Sequence, residues 1–389
     1  TKTLCLRDLC VNIKKIGVAQ ITCHILILRK DMRLFLYFIL TAGHFSLFSS
    51  ENRPYKLFSG NANLPLAQSV AKCLGMELSP IIISRFNDGE IKIKVEENVR
   101  NSHTFLIQTI CTTDQGSVND NLIELYLLAR TMKRSHVGML TAVIPYYGYS
   151  RQDRKTESRV PISASDIAML FELAGVDNII CVDLHCGQIQ GFFHEATVDN
   201  LYAAPIFVRY FSKKTDLVNP VVISPDAGGV ERAKLFIEGL TWHGVDAGFA
   251  IIVKQRASAG IVEKMNLVGD VNGCDVIIID DICDTAGTLV QAAEELINAG
   301  ARRVFACITH SVFSGEALQR IANSRLTELV ITDTIPLREE LPDNVVQLSI
   351  APLIAEAIDR TYNGESISHL FTYIGDSQFC NDMENMTLY

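Results

Sequence analysis

An apolar run that halts at two adjacent carboxylates constrains this chain more than any other stretch. Residues 276–288 read VIIIDDICDTAGT, so Val276, Ile277, Ile278 and Ile279 precede Asp280 and Asp281, and Asp284, Thr285, Ala286, Gly287 and Thr288 follow. A short, β-branched, wholly apolar run bounded by turn signals predicts a strand buried on both faces. Residues 289–299 then have helical spacing, with Leu289, Ala293 and Leu296 on one stripe and Gly300 just past the end. The backbone N–H groups that open such a helix lack internal partners, and with threonine hydroxyls beside them they can hold a phosphate. Paired carboxylates would repel that phosphate but suit ribose hydroxyls, met directly or through a divalent cation. Caps and turns also use acidic residues after strands, so this corner alone predicts a pocket for a phosphorylated ribose and nothing more specific.

The same texture recurs along the chain. Residues 55–59, 104–109, 139–144, 178–182, 221–224, 250–253, 304–309, 329–332 and 346–348 read as further strands. Residues 66–74, 121–133 (with Asp120 as cap), 161–173, 230–240 and 350–360 read as helices, and another starts at Gly315. This alternation predicts an α/β protein of two similar domains, each a mainly parallel sheet flanked by helices, with a site between them. The first domain is expected over residues 55–203, joined by the segment 363–375, and the second over 204–362.

Several loops between these elements carry chemistry. Residues 81–95 (IIISRFNDGEIKIKV) predict a hairpin turning at Asp88-Gly89. Phe86 offers a flat face to a nucleobase there, and Asp88 and Glu90 accept hydrogen bonds. The strand at 139–144 runs into aromatic residues and then Arg151, Gln152, Asp153, Arg154, Lys155 and Arg159, a concentration of positive charge that suits a polyphosphate. Asp183 and His185, two positions apart, are expected on one face of a strand, where a metal or phosphate role competes with simple packing. Asp226 precedes Gly228 and Gly229 in a turn that lets backbone amides approach a ligand. Lys254, Gln255 and Arg256 are followed by small, polar residues 257–264, the composition of a mobile lid.

Composition narrows the class. A net charge of −9 disfavours non-specific nucleic-acid binding, which draws on a basic surface. Eleven cysteines, from Cys5 to Cys380 with no C-x-x-C pair, fit neither a disulfide framework nor a zinc pattern and point to a reducing compartment. Residues 1–50 differ in texture. Their two apolar runs fall short of the ~18–20 residues needed to span a bilayer. Arg29, Lys30 and Arg33 ahead of the second run also fit a targeting segment beginning near Met32. The two readings, targeting or an extension outside the fold, stay open, and the folded part is expected in the cytoplasm with no membrane partner.

The residues 280–288 resemble the phosphoribosyl diphosphate loop shared by phosphoribosyltransferases and phosphoribosyl diphosphate synthetases. The wider set decides between them: FNDGE at 86–90, NDNLIEL at 119–125, YSRQDRK at 149–155, DLHCGQIQGFF at 183–193, VDNLYA at 198–203, SPDAGG at 224–229, KQR at 254–256 and NGESIS at 363–368. Over about four-fifths of its length, from Tyr55 to Phe371, the chain resembles the ribose-phosphate diphosphokinases of the phosphate-activated class. Phosphoribosyltransferases share only the Asp-Asp loop. Non-catalytic regulatory homologues typically carry an insertion in the lid, and residues 254–270 show none.

The resemblance implies a phosphoribosyltransferase-like fold and transfer of the diphosphoryl group of Mg·ATP to the C1 hydroxyl of ribose 5-phosphate. It implies that Phe86, Asp88, Gly89 and Glu90 hold adenosine and that Arg151, Gln152 and Asp153 meet the ATP phosphates. Asp280 and Asp281 would take ribose hydroxyls, and Asp284, Thr285, Ala286, Gly287 and Thr288 the 5-phosphate. His185 and Asp226, with Asp183 and Asp199, would position Mg²⁺, and Lys254, Arg256 and His185 would be catalytic. A hexamer of dimers is implied, activated by inorganic phosphate and inhibited by ADP at Arg100, Arg159, Ser366 and Ser368. Three departures stand out: Cys186-Gly187 replaces the usual Ala and polar or small residue, the segment 193–199 is one residue longer, and His194 stands where Asp is common.

Overall fold

The computed structural model describes residues 55–226, 228–255 and 264–371, all within one compact unit spanning Arg53–Tyr389. The expectations for residues 1–50, for all but the last residue of the 257–264 lid and for 372–375 of the segment 363–375 lie outside the described residues. In chain order the elements are β1 (Tyr55–Ser59), α1 (Leu64–Cys73), β2 (Ile81–Arg85), β3 (Ile91–Val95), β4 (His103–Ile107), α2 (Val118–Arg134), β5 (Met139–Ile144) and α3 (Ser163–Ala174). Then come β6 (Asn178–Val182), β7 (Thr197–Leu201), α4 (Ala204–Ser212), β8 (Val221–Ser224), α5 (Val230–Trp242), β9 (Gly248–Gln255) and β10 (Lys264–Val268). The last are β11 (Asp275–Cys283), α6 (Gly287–Asn298), β12 (Arg303–Ser311), α7 (Ala317–Ala322), β13 (Glu328–Thr332), β14 (Val345–Leu348) and α8 (Ala351–Asn363).

Two sheets result. The first has five parallel strands in the order β1-β4-β5-β6-β7. The second has seven, β10-β9-β8-β11-β12-β13-β14, and only the β9–β10 edge is antiparallel. β2 and β3 form a separate antiparallel hairpin whose positions alternate between half-buried and exposed along most of each strand. Parallel strands must be covered on both faces, and the packing shows how. One core joins the sheets: Leu57 and Phe105 of the first and Ile277 and Phe305 of the second pack on Leu66, Phe207, Phe211, Phe236 and Ile354 from α1, α4, α5 and α8. Phe211 meets Phe236 and Phe305 edge to face, at 6.2 and 5.6 Å between centroids. The far face of the first sheet is closed by α2 and α3, and that of the second by α6 and α7.

Polar contacts reinforce this shared layer. Asn63 Nδ2 donates to the Asp333 carbonyl at 2.8 Å, and Thr109 Oγ1 to the Thr334 carbonyl at 3.0 Å. The seven cysteines among the described residues are all free, and no helix among those residues is long and apolar enough to cross a membrane.

Several elements differ from expectation. Asp120 is not the cap of α2. Ser117 is, and Asp120 sits three residues in, answering the Ser117 N–H in a capping box. β11 does not end at Ile279 but runs through both aspartates to Cys283, because β12 supplies partners as far as Ser311. β6 ends at Val182, so Asp183 and His185 share no strand face, and Asp183 has a left-handed φ of 42°. α4, β7 and β10 were not anticipated as elements.

At the base of β11, Asp275 is fully buried and accepts from Val218 N (2.8 Å), Arg302 Nε (2.8 Å) and Arg303 Nη2 (2.8 Å). Burial alone would raise this carboxyl, but the arginine hydrogen bonds hold it well below the usual carboxylate range. Asp275→Ala is expected to destabilise the protein by about 3 kcal/mol in urea melts near pH 7, since it removes the buried carboxylate shared by two arginines and leaves the Val218 amide without its acceptor. The depressed value means this contribution is present above the ordinary carboxylate range and lost below it, so wild type and variant converge in stability as pH falls below about 4.

Candidate functional site

β11 delivers its acidic pair to the carboxyl edge of the second sheet, facing the loops that leave β6. Asp281 is the deeper of the two, its side chain 6 % exposed against 30 % for Asp280. His185 comes from the loop after β6, and its Nδ1 donates to Asp281 Oδ2 at 2.7 Å. This hydrogen bond raises the imidazole above its ordinary value and leaves Nε2 for a ligand. Asp281 would be raised by burial, but His185 and the Arg232 charge outweigh that and hold it low. Asp280 goes the other way, raised first by burial and then by the Asp281 charge. Arg232, in the first turn of α5, spans the pair: Nη1 lies 3.6 Å from Asp280 Oδ1 and 3.5 Å from Asp281 Oδ1.

The loop after β11 is held in a particular shape. Ala286 caps α6 with a left-handed φ of 60° and makes no side-chain hydrogen bond to the helix start, so the first-turn N–H groups remain open to an anion. Arg320 Nη1 donates to the Thr285 carbonyl at 3.0 Å and supports the loop from α7. Asp284 accepts from Arg151 Nη1 at 2.6 Å, an ion pair that crosses from one sheet's loops to the other's. Asp226 Oδ1 accepts from the Gly228 and Gly229 amides at 2.8 and 3.0 Å, which folds the glycine turn back on itself.

Apart from Arg320, these residues line one cavity of about 620 Å³. It brings together Arg151, Asp153, Asp183, His185, Asp226, Asp280, Asp281, Asp284, Thr285, Ala286, Gly287 and Thr288. The hairpin residues Phe86, Asp88, Gly89 and Glu90 do not line it; Phe86 is 52 % exposed and Asp88 accepts from the Glu90 amide at 3.1 Å within the turn. Gln152 is also outside, accepting from Ser163 Oγ at 2.6 Å. Arg100, Arg159, Ser366 and Ser368 lie away from the cavity, with Ser366 and Ser368 in contact at 3.0 Å beyond α8. Lys254 stands near the end of β9, on the same sheet edge as β8 and β11; its side chain, and Arg256 and Ala227 entirely, lie outside the described residues.

Of the other two residues expected at the metal, Asp183 lines the cavity with its carboxylate already hydrogen-bonded, and Asp199 does not line it. The Asp183 carboxylate is buried and accepts from Thr309 Oγ1 (2.6 Å) and Ala203 N (3.1 Å), so its hydrogen-bonding is structural. Asp199, on β7, does not line the cavity, and burial raises its carboxyl toward the neutral form. Among the described residues no three His, Cys, Asp or Glu side chains converge as a metal cage. The lining nonetheless sets seven carboxylates against three arginines, Arg151, Arg154 and Arg232. Phosphates entering such a cavity need a cation with them, and Mg²⁺ is a hard ion that typically takes one or two carboxylates and completes its shell from substrate phosphates and water. The donor set fits that kind of site.

Arg232 was not anticipated. Its signal was its place one helical turn past the glycine-rich turn, on the face that α5 presents to the next strand end.

Comparison with known proteins agrees with this architecture. A family model for the N-terminal domain of ribose phosphate pyrophosphokinase matches residues 55–175, and one for the phosphoribosyl synthetase-associated domain matches residues 250–372. Ribose-phosphate pyrophosphokinase of Campylobacter jejuni is 48% identical over 82% of this chain and 99% of its own length. The protein of the same name from Haemophilus ducreyi is 47% identical over 81% of this chain and 98% of its own. The crystal structure of phosphoribosylpyrophosphate synthetase from Mycobacterium smegmatis superposes with a TM-score of 0.73 at 36% identity, covering 80% of this chain and all of that one. An Asp-Asp loop on a central parallel strand, the second cavity wall from a like sheet, and relatives that match across both make the conclusion direct: this chain belongs to the ribose-phosphate pyrophosphokinase family.

Proposed function

We propose that this chain transfers the diphosphoryl group of Mg·ATP to the C1 hydroxyl of ribose 5-phosphate, giving 5-phosphoribosyl 1-diphosphate and AMP, in the cytoplasm. The observation that carries the reading is the cavity itself, which sets a sugar-phosphate loop after β11 opposite Arg151 of the other sheet. Residues 55–203 with 363–375 form the ATP side and 204–362 the ribose 5-phosphate side. The open start of α6 and the loop residues Asp284, Thr285, Ala286, Gly287 and Thr288 take the 5-phosphate. Asp280 and Asp281 accept from ribose hydroxyls and orient C1. Arg151 leaves Asp284 to meet the ATP phosphates, with Gln152 and Asp153 beside it, and Lys254 and Arg256 stabilise charge on the transferring group. Asp226 and His185 would hold Mg²⁺ together with the phosphates, and the ion would supply charge neutralisation for the transferring group. Transfer of this kind rests on positioning and electrostatics rather than covalent help.

The hairpin is the missing wall. Phe86, Asp88 and Glu90 lie outside the cavity of their own chain, and we assign them to adenosine in the cavity of a second copy, within a hexamer of dimers. Arg100, Arg159, Ser366 and Ser368 form the site for activating phosphate and inhibitory ADP.

Incubation with ATP, ribose 5-phosphate and Mg²⁺ is expected to yield AMP and phosphoribosyl diphosphate in equal amounts. Production of neither, with consumption of phosphoribosyl diphosphate when a base is supplied, would identify a phosphoribosyltransferase instead. Lys254→Ala is expected to lower turnover by at least about 10³-fold with substrate binding largely intact; near-normal single-turnover rates would remove Lys254 from the mechanism. Mixing Phe86→Ala chains with Lys254→Ala chains is expected to restore about a quarter of wild-type activity, because half of random dimers are mixed and each has one intact site. No recovery would place the hairpin in its own chain's site.

A further inference from the structure

Arg232 has no counterpart among the substrate-contacting residues above, yet it sits at the centre of the acidic wall. Its side chain is only 16 % exposed, and its Nη1 lies within 3.6 Å of both Asp280 and Asp281. Two consecutive strand residues normally direct their side chains to opposite faces. Here both carboxylates are gathered onto one cation, which comes from a different element. The first turn of α5 fixes the backbone of Arg232. His185 approaches Asp281 through the other oxygen, Oδ2, so the cation and the imidazole grip Asp281 from two sides.

We infer that Arg232 is a positioning residue for the sugar: by holding both carboxylates at once it aims Asp280 and Asp281 at the ribose hydroxyls. The inference rests on the proposed function of this site. The separations are those of a bridge spanning two anions rather than of a tight bidentate pair, which forms at ~2.7–2.9 Å. One guanidinium nitrogen, Nη1, serves both carboxylates, and a lysine ammonium would keep the charge without the fixed planar group that sets its position. Arg232 therefore acts through Asp280 and Asp281 on sugar recognition and leaves ATP recognition to other groups.

The test compares Arg232→Met, which keeps much of the volume and removes the charge, with Arg232→Lys. For Arg232→Met the KM for ribose 5-phosphate is expected to rise at least ~10-fold while the KM for ATP changes less than ~2-fold, and Arg232→Lys is expected to recover part of that loss. A second reading uses 2-deoxyribose 5-phosphate as probe. Wild type is expected to discriminate against it, since a site built to bind a hydroxyl rejects the analogue that lacks it, and Arg232→Met is expected to narrow that ratio. A merely structural arginine would not change the ratio. An equal or larger rise in the KM for ATP would make Arg232 a direct phosphate ligand and overturn the inference, as would unchanged sugar discrimination in both variants. Should Arg232→Met fail to fold, as judged by its urea midpoint, Arg232→Lys carries the same comparison. Calorimetric titration of wild type with ribose 5-phosphate separates the two levels: no binding there defeats the proposed function, whereas normal binding with unaffected variants defeats only the role of Arg232.

Discussion

The buried carboxylate of Asp183 ties the two halves of the site together. It stands at the end of β6 in a left-handed conformation and accepts from Thr309 Oγ1 on β12 and from the Ala203 amide. Its own carbonyl accepts from His310 Nε2 at 3.1 Å, and His310 Nδ1 meets Thr334 Oγ1 at 3.0 Å. Burial lowers the His310 value and favours its neutral form. Every member of the knot is buried, so each unmade bond would carry a full desolvation penalty. The turn at Asp183 also sends the chain toward the second sheet, and two residues later His185 reaches Asp281. The hydrogen bonds of Asp183 thus fix where the following loop, and His185 with it, meets β11.

Charge is distributed along β11 with a clear division of labour. Asp275 at one end is buried against two arginines and stabilises the sheet. Asp280 and Asp281 at the other end share a single arginine and face a cavity in which carboxylates outnumber guanidinium groups. The first arrangement is satisfied by the protein alone. The second is left short of positive charge, which suits a site whose ligand arrives as a nucleotide already paired with a divalent cation.

Much of this was legible in the sequence because the decisive signals are local. The apolar runs at 139–144, 178–182 and 221–224 are the strands β5, β6 and β8 as read, and the Asp-Gly turn made the hairpin plain. What escaped depended on partners distant in the chain. β11 extends past Ile279 only because β12 offers hydrogen bonds there. Nothing local in the sequence says that Thr309 lies across from Asp183 or that Asp199 sits outside the cavity. Arg232 reads as an ordinary charged residue near a helix start, and its meaning appears only when α5 is laid against the end of β11. The hairpin itself was readable, but nothing local says that Phe86 stands outside the cavity of its own chain.

The single helical layer between the sheets has a mechanical consequence. In many two-domain enzymes the halves swing about a hinge, but here α1, α4, α5 and α8 belong to a core that both sheets share. Parting them would expose apolar surface, and at ~25 cal/mol per Å² even about 400 Å² would cost on the order of 10 kcal/mol, as much as the stability of a typical domain. The spacing between the loops of β6 and those of β11 is therefore a fixed dimension, like the gap of a calliper set before use. Substrates must match that gap, and whatever moves during turnover has to be loop rather than domain.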